Sequence, residues 1–185
     1  MMRSSVLTLA FMFAASCAHT PATAQEDARA EEVVARIIVE ALAPASYGDW
    51  AYDWGALSAR VSQHMHWHLF GPDARELEEG AVTRRTGWIS VRGQSVGISA
   101  FGDAERVTHM TFELRDGQTA AVLDALRAAG TEAPLLSAQE NSSNYEISVP
   151  GRDLAQLTSS RICTPEGARA ARRCRDVLTL RFAAR

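Results

Sequence analysis

The sequence predicts an α+β protein: a mainly antiparallel sheet of about five strands, covered by helices on one side and preceded by an N-terminal amphipathic helix. Three observations carry that expectation. Between Gly87 and Leu114, three runs alternate at the two-residue period of strands and are separated by glycine-containing turns. Directly afterwards, Val122, Leu123 and Leu126 recur at helical spacing until Gly130, the residue type that most often ends a helix. Near the start, Glu26 to Leu42 combines early acids with an apolar stripe of Val34, Ile37, Ile38, Ala41 and Leu42.

The chain opens with Arg3, an apolar segment from Val6 to Ala15, and then small residues, the order of an export signal over residues 1–24. Ala22-Thr23-Ala24 supplies a small-x-small cleavage site before Gln25. Ala14-Ala15-Ser16-Cys17 resembles a bacterial lipobox, with Ala14 where Leu is commonest; lipidation of Cys17 would tether the protein to a membrane surface. Cleavage after Ala24 is the preferred reading. Residues 25–48 then form the amphipathic helix and a short linker around Pro44, and residues 49–185 form one domain.

Within that domain, Trp50, Trp54, Leu57 and Val61 recur as one face of a helix would, extending the helical reading from Asp49 to Leu69 with Asp49 or Asp53 as cap. Asp73 to Gly80 reads as an acidic turn of helix. Trp88 to Arg92 and Val96 to Phe101 form a hairpin about Gly93, and Val107 to Leu114 a third strand with Met110, Phe112 and Leu114 on its buried face. After the covering helix, Thr131 to Asn144 reads as a polar connection, and Tyr145, Ile147 and Val149 as a fourth strand. Asp153 suits the cap of a short helix carrying Leu154 and Leu157. Thr164-Pro165-Glu166 suits the start of another helix running to about Cys174, before Leu178, Leu180 and Phe182 alternate as the last strand. No internal repeat is legible. The expected core comprises Trp88, Ile89, Val96, Ile98, Met110, Phe112, Leu114, Val122, Leu126, Ile147, Leu178 and Leu180.

Charge is nearly balanced overall but uneven along the chain. Glu26 to Gly80 holds eleven acids against four arginines, whereas Pro150 to Arg185 holds eight arginines against three acids. Every basic residue is Arg and none is Lys, a pattern of genome composition, so nucleic acid is not an expected partner. Once Cys17 is removed or lipidated, Cys163 and Cys174 remain, an even pair that an oxidising compartment would join as a disulfide. Their spacing is not that of a C-x-x-C metal site and no His lies near.

Among chemistry-bearing groups, His64-Met65-His66-Trp67-His68 is the densest cluster. On a strand, all three imidazoles would share a face suited to Cu, Ni or Zn; on the helix that the periodicity favours, only His64 and His68 would, as an i, i+4 pair. Gly93-Gln94-Ser95-Val96-Gly97 matches the G-x-S-x-G pattern of a nucleophile elbow, but a strand rather than a helix follows it. Asp49 and Asp53 with Tyr47, Trp50, Tyr52 and Trp54 could line a carbohydrate-type cleft, and Arg169, Arg172, Arg173 and Arg175 could meet an anionic partner or lipid headgroups. No coherent catalytic set emerges and no cofactor is expected. These features together predict an exported bacterial envelope protein, periplasmic or secreted, that binds an envelope partner or ligand or supports an assembly. The alternatives are a periplasmic metal-binding protein using His64, His66 and His68, and a small hydrolase.

Overall fold

A computed structural model describes residues 29–42, 53–61, 66–68, 83–103, 106–152, 154–164 and 173–182. The expected export signal, Cys17, and the aromatic group at Tyr47, Trp50 and Tyr52 lie outside them, as do Asp49, His64 and the acidic turn at 73–80.

Among the described residues, eight antiparallel strands form a single sheet. They are β1 (His66–His68), β2 (Thr83–Val91), β3 (Gln94–Gly102), β4 (Val107–Arg115), β5 (Leu135–Gln139), β6 (Ser142–Ile147), β7 (Ala155–Thr164) and β8 (Arg173–Phe182), in the spatial order β1-β2-β3-β4-β8-β7-β6-β5. The helices are α1 (Ala30–Ala41), α2 (Trp54–Val61) and α3 (Gln118–Ala128). The composition is α+β, but the expected five-strand sheet covered by helices on one side is wrong. Seven strands of five residues or more and the three-residue β1 make the sheet. Among the described residues the helices meet chiefly β2, β3, β4 and β8 and so roof its middle, while Ile147, Ala155 and Leu157 carry the same core into β6 and β7 and the side chains of β5 stay exposed.

The missed strands have specific causes. Leu154 and Leu157 stand three apart, which mimics a helix; in the structure Ala155 and Leu157 alternate as β7, held between β6 and β8. Thr164 is the last residue of that strand, and Cys174, where the expected helix would end, lies in β8; residues 165–172 lie outside the described residues. Leu135 to Gln139 pairs with β6 across a bulge at Leu136, which hides its period. The helical reading of Asp49 to Leu69 stops at Val61, and His66–His68 is an edge strand whose backbone pairs with Thr86 to Trp88.

The helix placed ahead of the domain is also corrected. Helix α1 begins at Ala30, and Ala30, Val33, Val34, Ala35, Ile37, Ile38 and Ala41 are all buried in the common core, packed on α3 and α2. It belongs to the domain's interior because so broad an apolar surface must be covered. Glu32 accepts the Arg29 N–H at its start. At its end the carbonyls of Ala41 and Leu42 receive the guanidiniums of Arg60 and Arg152, so cations from elsewhere satisfy a terminus that has no basic residue of its own.

Local chemistry explains the rest. Arg92 and Gly93 both take positive φ, 49° and 73°, the two-residue turn whose twist suits a hairpin. Gly102 sits at a register shift between β3 and β4 where a Cβ would lie 1.8 Å from the Arg106 carbonyl oxygen, so no other residue fits without moving backbone. Asp53 caps α2 by accepting the Gly55 and Ala56 N–H groups, and Trp54 docks that helix by donating its indole N–H to the Asp103 carbonyl. Gln118 bridges three elements: its Oε1 accepts the Arg115 N–H, and its amide donates to Glu31 of α1 and Gln94 of β3.

The order of elements repeats. A helix followed by the meander β1–β4 is matched by α3 followed by the meander β5–β8, and the last strands of the two units pair at the centre of the sheet. This approximate two-fold arrangement is not visible in the amino-acid sequence.

Across the central seam Met110 faces Leu180 and Phe112 faces Leu178, and all four are fully buried. Every residue of the expected core is buried except Trp88, whose parity places it on the opposite face of β2 from Ile89. Cys163 and Cys174 form a disulfide across a register pair of β7 and β8. We expect Phe112→Ala to destabilise the protein by about 3–5 kcal/mol, read from urea unfolding monitored by circular dichroism; a change below about 1 kcal/mol would show that Phe112 is not central to the core.

Candidate functional site

Two places gather polar chemistry: the sheet face that the helices do not touch, and a cleft where α3 begins.

On the uncovered face, antiparallel register aligns side chains from successive strands into rows. One row runs Arg84, Phe101, His109, Arg181, Gln156 and Glu146 across β2, β3, β4, β8, β7 and β6. Its first members stack. The Arg84 guanidinium lies 5.5 Å from the Phe101 ring centroid, and the Phe101 and His109 rings are nearly parallel with centroids 4.7 Å apart. Beside it runs a row of small hydroxyl and amide groups, Thr86, Ser99, Thr111, Thr179, Thr158 and Asn144. The Arg84 guanidinium donates to the Ser99 hydroxyl, and Thr158 donates to Asn144, which donates to Ser137. Further along, Arg175 pairs with Glu113 at 2.7 Å.

His109 is held below its ordinary pKa, first by partial burial and then by the Arg181 guanidinium beside it. The Thr108 hydroxyl lies 3.1 Å from the Phe101 carbonyl oxygen and 3.0 Å from His109 Nδ1, which ties the imidazole to the neighbouring backbone. At neutral pH the stack therefore carries the charges of the two arginines and a neutral imidazole. Because folding disfavours the charged ring, the stability associated with His109 is present above the ordinary value near 6.5 and declines as pH falls through the lowered folded value. NMR titration of the His109 ring should give a midpoint below 6.5 that moves upward in Arg181→Gln; an unchanged midpoint in that variant would remove Arg181 as a cause.

The cleft encloses about 290 Å³ between the first turn of α3, the β5–β6 turn, and the ends of β6, β7 and β8. Its organising residue is Asp176, only 4% exposed although it is a carboxylate. Leu180, Leu178 and Asp176 follow at the same parity on β8, so the acid occupies a core position, and donors must be brought to it. Its Oδ2 accepts the N–H groups of Gly117 and Thr119 and the Thr119 hydroxyl, at 3.0, 3.2 and 3.0 Å. Asp176 thus caps α3 from across the sheet, where Gly117 at φ 80° gives no side-chain cap of its own. Ser159 in turn donates to Thr119 at 3.1 Å, because that hydroxyl has already directed its proton to the carboxylate. Arg161 closes the rim, bonded to Asp116 at 2.9 Å and to Asp176 Oδ1 at 3.5 Å. Replacing Asp176 with Ala should destabilise the fold by about 1–3 kcal/mol by stranding the α3 donors, and Asp176→Asn, which keeps an acceptor, should lose less. Equal stability of all three proteins in denaturant titration would contradict the capping role.

The residues singled out from sequence are placed less coherently. Ser95 lies within β3, opposite Ser90, and the chain from Gln94 to Gly102 is strand, so the G-x-S-x-G stretch is a hairpin arm. His66 and His68 lie on β1. Among the described residues, no group of three His, Cys, Asp or Glu side chains is close enough to hold a metal ion; that statement does not reach the trio, since His64 is outside them. Arg173 and Arg175 are on β8, while Arg169 and Arg172 lie outside the described residues. Sequence reasoning missed Asp176, Thr119, Ser159 and Arg161. The one available signal was the acid standing in the apolar register of β8.

No protein-family model, no curated protein and no solved structure matches the chain.

Proposed function

We propose that this chain is an exported, non-catalytic binding module of the bacterial envelope that engages an acidic partner through its uncovered sheet face. The observation that carries the reading is the Arg84–Phe101–His109–Arg181 row. Four adjacent strands of a rigid sheet present two guanidiniums and two stacked rings side by side. Guanidinium and aromatic groups are the side chains that most often anchor protein interfaces, and a cationic face recruits acidic partners by steering. The hydroxyl row beside it offers donors and acceptors without charge, as an interface rim does. The disulfide between Cys163 and Cys174 suits an oxidising compartment and so supports export.

The test is a pull-down from envelope extract with the wild-type chain and Arg181→Glu side by side, at low and at high salt. A species retained by the wild type should be lost with the charge reversal and released by salt, because charge pairing at a surface is screened within about 8 Å at physiological ionic strength. Recovery of nothing specific, or retention indifferent to both Arg181→Glu and salt, would sink the proposal.

A further inference from the structure

A second site stands apart from the uncovered face, on the helix side of the sheet. We propose that the cleft at the start of α3 binds a small, neutral, polyhydroxylated molecule of the monosaccharide class. The cleft has two kinds of polar group. Asp176, Thr119, Ser159 and Arg161 are engaged with one another and with the backbone of α3, so they form a rigid floor. By contrast, Asn141, Ser143 and Tyr145 line the same space and, among the described residues, their side chains make no hydrogen bond to protein. These are amides and hydroxyls, groups that both donate and accept, which is what a ligand made of hydroxyls requires.

Charge argues in the same direction. The Gly117 and Thr119 N–H groups, which would otherwise draw an anion to the helix start, are already taken by the Asp176 carboxylate. Glu140 on the rim further disfavours an anion. A cation meets Arg161, itself balanced by Asp116 and Asp176. The surviving class is neutral and polar. Shape agrees: about 290 Å³ lies at the small end of ligand pockets, and Leu123, Ala120 and the Tyr145 ring give an apolar patch for the C–H face of a sugar ring.

The test is titration of the ¹⁵N-labelled chain with glucose, N-acetylglucosamine and myo-inositol, and separately with inorganic phosphate. At least one of the three neutral probes should give saturable amide shifts confined to residues 117–120, 139–145 and 159–161, with a Kd of about 1 mM. Binding should weaken at least about tenfold in Tyr145→Phe and in Asn141→Ala. Both variants remove groups without a protein partner, and the spectra themselves report that they remain folded. Absence of saturable shifts with all three neutral probes, phosphate binding more tightly than any of them, or variants that bind as the wild type does would each overturn the proposal. None of these outcomes bears on the uncovered face, which lies on the other side of the sheet.

Discussion

The pairing of β4 with β8 is the contact on which the rest of the molecule depends. Each four-stranded meander, taken alone, would end in a bare edge on a strand with one largely apolar face, and an unpaired apolar strand is a liability in water. Joining the two edges satisfies both backbones and sets Met110 against Leu180 and Phe112 against Leu178 under the roof of α1 and α3. The helices follow from that seam. Helix α3 leaves directly from the end of β4 and lies back over β4 and β8, and α1 has its remaining apolar surface covered by α3.

Where the seam's apolar register runs out, a carboxylate takes its place, and much of the local architecture answers to it. A buried Asp on a central strand is tolerable only if hydrogen-bond donors converge on it. The start of α3 supplies them, with Thr119 and Arg161 completing the set. The core runs on into the wing through Ile147, Ala155 and Leu157, but at the level of Asp176 it gives way to polar groups, so a polar hollow opens beside a well-packed interior. Stability and concavity here have one cause.

Legibility in the sequence divided along a physical line. Elements specified locally were readable: the Gly93 hairpin, the alternation of Met110, Phe112 and Leu114, and the helix between Gly117 and Gly130. Elements specified by their neighbours were not. Strand β7 owes its conformation to lying between β6 and β8, β5 carries a bulge, and β1 is three residues of edge. Tertiary pairing overrides the local preference in each case. The candidate sites were hidden for the same reason, since Asp176 meets Gly117 across 59 positions of chain, and the Phe101–His109 stack exists only through register. The disulfide could be anticipated from two thiols and their context; the cap at Asp176 could not, beyond the oddity of an acid in a hydrophobic row.

The seam also orders events in time. Residues 109–115 pair with 175–181, so the central contact of the sheet joins residues 60 to 72 positions apart, and the second partner is the last described strand of the chain. A polypeptide that emerges from its N-terminus onward can form the first meander early but cannot close the sheet until β8 arrives. Non-local pairing of this kind folds slowly, because loop-closure entropy is lost before the contacts form. The topology therefore delays closure of the sheet until β8 has emerged, and lets that strand commit both halves together.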